Sequence, residues 1–83
     1  METEYKDFEK IVGSQIRDIR LSSGISQEDL AIYTGLDRSY ISMIENGKRN
    51  PTLLVVFKIC SVLNIAPNIL IQRIEKIYEG NSN

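Results

Sequence analysis

Eighty-three residues make one small domain, because a chain this short cannot fill two hydrophobic cores. A single cysteine, Cys60, and no histidine exclude an intrachain disulfide and a cysteine-cluster metal site. A formal net charge of −1 argues against a generally basic nucleic-acid binder, although a local basic strip is enough for phosphate contact.

The opening residues 1–7, METEYKD, are polar and are expected to fray. This N-terminus is acidic rather than basic-then-apolar, so no signal peptide is expected. No apolar run approaches the ~20 residues of a membrane span, and the expectation is a cytoplasmic chain with no membrane partner. From Phe8 the pattern changes. Phe8, Ile11, Val12, Ile16 and Ile19 follow i, i+3, i+4 spacing to about Leu21, an amphipathic first helix. Gly13 interrupts its propensity and points to a close neighbour. Ser22-Ser23-Gly24 ends the helix, with Gly24 at C′, and Ile25 turns inward.

The second helix opens at Ser26, an N-cap whose first turn carries Glu28 and Asp29 beside the positive end of the dipole. Leu30, Ala31 and Tyr33 are its expected inner face. Gly35 has no Cβ to oppose the left-handed conformation that stops it. Leu36 then points inward, Asp37 caps a third helix, and Ile41 and Ile44 form an apolar i, i+3 pair. Small Ala31, Gly35 and apolar Ile41 let two helices cross around a short turn over residues 27–46. That is a helix-turn-helix, whose second helix can enter a major groove. Arg38, Ser39, Tyr40, Ser42 and Met43 lie on faces that Ile41 and Ile44 do not claim. The plainer reading is a helical hairpin with a solvated polar face.

Asn46-Gly47 ends the third helix and Lys48-Arg49-Asn50-Pro51 forms a loop. Thr52 caps a fourth helix, Leu53 to Leu63, apolar nearly all round and expected to be the central post of the core, with Cys60 a buried, inert thiol. Asn64 ends it, and Pro67 suits the first turn of a fifth helix running to about Tyr78. Ile69, Leu70, Ile71, Ile74, Ile77 and Tyr78 are more apolar surface than a terminal helix hides in so small a monomer. Ile69, Leu70, Ile74, Ile77 and Tyr78 are therefore assigned to a symmetric dimer interface, the competing reading being a helix folded back on its own core. Residues 79–83, EGNSN, read as a flexible tail.

With all five helices placed, the chain resembles the helix-turn-helix family of phage Cro and repressor proteins, the Xre family, over roughly residues 9–78. The stretches that carry the resemblance are IRDIRLSSGISQEDLA, TGLDRSYISMIENGKRNP and TLLVVFKICSVLNI. Within the family it is most similar to the controller proteins of restriction–modification systems. It departs from many members in having Ala66 where a serine often precedes Pro67. The resemblance implies an all-α, compact five-helix lambda-repressor-like fold.

It also implies roles. Gln27 would clamp a phosphate. Arg38, Ser39 and Tyr40 would touch base edges, with Ser42 and Met43 facing the groove one turn later. Asn46, Lys48, Arg49 and Asn50 would hold backbone phosphates, and Arg20 would pair with Glu45 as a structural bridge. The chemistry suits these roles: Arg38 can donate two hydrogen bonds to guanine, worth about 1–3 kcal/mol of discrimination. The implied partners are operator DNA, a second copy of the chain, and RNA polymerase at the promoter, with no cofactor. The alternative is an antitoxin or antirepressor on the same fold, whose last helix masks a partner. Catalysis is the weakest reading. The chain shows no metal-ligand spacing, Gly-rich phosphate loop or nucleophile elbow, and a helix first turn explains Glu28 and Asp29.

Overall fold

Capping residues divide the chain into five helices: α1 (Phe8–Ser22), α2 (Gln27–Thr34), α3 (Arg38–Glu45), α4 (Leu53–Leu63) and α5 (Pro67–Gly80). The computed structural model describes residues 4–80, and among the described residues there is no strand. The Ser26 hydroxyl accepts from the Asp29 amide at 3.0 Å, and Thr52 accepts from Val55 at 3.2 Å. Each satisfies one amide that its helix leaves unpaired. Gly35, at φ 76°, stops α2 and returns its amide to Ala31. Asp37 stands at the N-cap of α3 with extended backbone, but its side chain makes no cap hydrogen bond, so its help to the helix is limited to its charge.

The core is made of Val12, Ile16 and Ile19 from α1, Leu30 from α2, Ile41 and Ile44 from α3, Val55, Ile59, Cys60 and Leu63 from α4, and Leu70 from α5. Helix α1 packs on α3 and α5, α2 on α3 and α4, and α4 on α5. The approach of α1 to α3 needs Gly13, because a Cβ there would overlap the carbonyl oxygen of Ile44 and lie 2.9 Å from that of Glu45. No single helix among the described residues is long and apolar enough to cross a membrane.

Five sequence expectations need correction. Tyr33 is 67% exposed and belongs to the outer side of α2, whose one buried residue is Leu30. Helix α4 is not a post surrounded by the core. Its main packing partners are α2 and α5, and Leu53, Leu54 and Phe57 remain 66, 64 and 52% exposed. Leu70 is 2% exposed and is a core residue, which removes it from any dimer interface; the next residue, Ile71, faces out instead. Residues 4–7 are not frayed. Tyr5 meets Phe8 and Tyr78 edge-on at 6.1 and 5.1 Å, and the Tyr78 hydroxyl donates to the Lys6 carbonyl at 2.9 Å. Helix α5 extends through Glu79 and Gly80, which shortens the expected tail. The rest of the two ends that the sequence reading expects to be flexible, residues 1–3 and 81–83, lies outside the described residues.

Candidate nucleic-acid interface

What orients α3 is a small polar cluster inside an otherwise apolar junction. Arg20, in the last turn of α1, donates from Nε to Glu45 Oε2 at 2.6 Å and from Nη2 to Glu45 Oε1 at 2.9 Å. Its Nη1 donates to the Ile25 carbonyl at 2.8 Å. Gln27, the first residue of α2, donates from Nε2 to the same Glu45 Oε1 at 3.0 Å. Both charged side chains are buried, and no buried side-chain polar atom among the described residues lacks a partner. The bond to Glu45 raises the Arg20 pKa above the usual guanidinium value, against the opposing effect of burial. One carboxylate thus joins the ends of α1 and α3 to the start of α2 in a planar, bidentate geometry.

Fully buried Ile41 and Ile44 settle which side of α3 faces inward. Arg38 and Ser39 are exposed, and Tyr40, Ser42 and Met43 are half-buried along the edges of the outward side. Arg38, Ser39, Ser42 and Met43 therefore lie on the sides of α3 that the buried isoleucines leave, while Tyr40 packs against the core. Beyond the helix the chain curls back: the Gly47 amide donates to Ile44 at 3.1 Å and the Lys48 amide to Met43 at 2.8 Å. This turn sets Asn46, Lys48, Arg49 and Asn50 in the open next to α3. Asn46 donates to the Ser42 hydroxyl at 3.3 Å, and the Arg49 guanidinium lies over the Tyr40 ring, 5.7 Å from its centre.

Gln27 is placed less simply than the resemblance implies. It is half-buried and one of its amide hydrogens is committed to Glu45, so only the remaining hydrogen is open to a phosphate. Three contacts escaped sequence reasoning: Gln27 to Glu45, Arg49 to Tyr40, and the seating of Lys10 on Gly47. Arg49 and Tyr40 were already assigned to one surface, so pairing them was a possible inference; the other two contacts had no local signal. No cluster of metal-ligating side chains occurs among the described residues, and burial pushes the Cys60 thiol above its ordinary range, away from the reactive thiolate.

A family model described as helix-turn-helix matches residues 16–70. The chain is 45% identical over 62 residues to control protein C.BamHI of Bacillus amyloliquefaciens, covering 74% of this chain and 76% of that one. It is 42% identical over 65 residues to control protein C.MunI of a Mycoplasma species, covering 77% and 88%. Among solved structures it is similar to the restriction–modification controller protein C.AhdI from Aeromonas hydrophila, with TM-score 0.73 and 40% identity over 76% of this chain and 96% of that one. It is also similar to the controller protein C.Esp1396I, solved as a tetramer with its natural 35 base-pair operator, with TM-score 0.77 and 35% identity over 90% and 97%. With its fold, its buried brace and these relatives in agreement, the chain belongs to the Xre-like helix-turn-helix family of DNA-binding transcriptional regulators.

Proposed function

We propose that this regulator reads a specific operator as a homodimer, in the manner of a restriction–modification controller protein. The observation that carries the reading is the outward polar side of α3, held in place by the buried Arg20–Glu45–Gln27 cluster. Arg38 and Ser39 enter the major groove first, with Tyr40, Ser42 and Met43 behind them. Asn46, Lys48, Arg49, Asn50 and the free amide hydrogen of Gln27 hold phosphates and set the register. Dimerisation is supported by apolar surface that the monomer leaves open. Shallow grooves between α1, α4 and α5 are lined by Phe8, Leu53, Ile71 and Ile74, and continue to Tyr5 and Tyr78. Two-fold symmetry then gives half-sites about one helical turn, ~34 Å, apart. The reading is non-enzymatic and cytoplasmic, with control exerted through protein concentration on RNA polymerase at the promoter.

The C.Esp1396I complex holds a tetramer on one operator. Two dimers side by side on this chain's operator would give the same stoichiometry. The direct test is Arg38→Ala, read by footprinting and by mass in solution. A folded dimer that has lost its operator preference is expected; an unchanged footprint would refute the role of α3.

A further inference from the structure

We propose that Lys10, on α1 and outside the helix-turn-helix, is an additional DNA-phosphate contact of this interface. The proposal rests on the DNA-reading function above and adds a residue to it. Gly47 sits between Asn46 and Lys48 in the turn that follows α3. A Cβ built on Gly47 would lie 2.5 Å from Lys10 Cγ and 2.8 Å from Lys10 Cα. The stem of Lys10 therefore fills the space that a side chain at position 47 would take. One turn along α1, Gly13 abuts the carbonyls of Ile44 and Glu45, so Lys10 continues the α1–α3 seam past the end of the recognition helix. Its ammonium is three bonds beyond Cγ, which holds it within a short reach of the loop that carries Lys48 and Arg49.

Lys10 is exposed, and among the described residues its ammonium makes no hydrogen bond or ion pair. Asp7 and Glu9 lie within one turn, but neither forms an ion pair with it. A packed stem with an open charge is the arrangement that keeps a lysine pre-positioned while its head remains available to a phosphate. Four of the other basic residues cannot take this part. Arg20 is spent on Glu45, Arg73 donates to Gln15, and Lys58 and Lys76 stand on α4 and α5. Phosphate contacts release counterions, so each one lost reduces the slope of log affinity against log salt by about 0.9. A purely structural role, such as complementing the negative end of the α3 dipole, leaves that slope unchanged.

The experiment uses the full chain, a duplex carrying its preferred site selected from random DNA, and a random-sequence duplex, across a salt series. Lys10→Met keeps the apolar stem against Gly47 and removes the charge; Lys10→Gln is a second uncharged variant, and Lys10→Arg keeps the charge. The uncharged variants should bind both duplexes more weakly by a similar factor. Their salt slope should fall by about 0.9 for each protomer bound, and Lys10→Arg should retain the wild-type slope. Folded uncharged variants with the wild-type slope would overturn the proposal. So would a loss confined to the preferred site at constant slope. Wild-type chain that binds neither duplex would overturn the underlying function instead, and Lys10's role with it.

Discussion

The two ends of this small molecule are built on different terms. In the α1–α3 end, polar groups meet inside the protein: Arg20, Glu45 and Gln27 satisfy one another, and Gly13 lets two backbones touch. In the α4–α5 end, polar closure is scarce and apolar side chains stay open to solvent, among them Leu53, Leu54, Phe57, Ile69 and Ile71. The first end is complete without a partner and fixes the aim of one short helix. The second is the kind of surface that a further copy of the chain covers. Aiming a reading helix needs directional contacts, whereas adhesion between copies needs only matching apolar area.

Mutations should separate the two ends. Glu45→Ala leaves the Arg20 guanidinium buried without its carboxylate and should cost about 3–5 kcal/mol in denaturant unfolding, with loss of DNA binding. A loss under 1 kcal/mol would show that the cluster does not brace α3. Gly13→Ala forces α1 away from the Ile44 carbonyl; about 1–3 kcal/mol is expected from overpacking, with weakened DNA binding even where the fold survives. At the other end, Ile71→Ser combined with Leu53→Ser should barely move monomer unfolding, by about 0.5 kcal/mol or less. The same pair should raise the dimer dissociation constant at least about tenfold by sedimentation, since burying one such side chain is worth about 1.5–3 kcal/mol.

The smallest effect belongs to the N-terminal docking. Loss of solvent around the Tyr78 phenol raises its pKa first, and the negative charges of Asp7 and Glu9 raise it further. Because the folded value lies above the unfolded one, this contribution is fully present below the ordinary phenol pKa of about 10. It is lost as pH rises through the folded value, when the hydroxyl can no longer donate to Lys6. Alkaline titration should therefore expose residues 4–7 to proteolysis before α3 loosens, and Tyr78→Phe should give partial exposure at neutral pH.

Much of the reading end was legible because its signals are local. Ser26, Gly35, Thr52 and Pro67 mark helix ends through capping and backbone geometry, and Ile41 with Ile44 declare the inward side of α3. The Arg20–Glu45 bridge spans 25 positions and came from family resemblance rather than spacing. The errors fall where apolar composition was asked to predict burial. Leu53, Leu54 and Phe57 are as apolar as the core residues of α4, but only helix packing decides which of them has a neighbour. Leu70 and Ile71 are adjacent and chemically alike, and the register of α5 alone separates core from surface. The docking of Tyr5 on Tyr78 joins residues far apart in the chain, which no local pattern reports.

Selection of bound duplexes from a random pool at moderate salt tests the central claim most directly. A braced, outward-facing α3 in a two-fold dimer predicts enrichment of two inverted copies of one short sequence, centred about ten base pairs apart. Recovered sequences no different from the starting pool would contradict it.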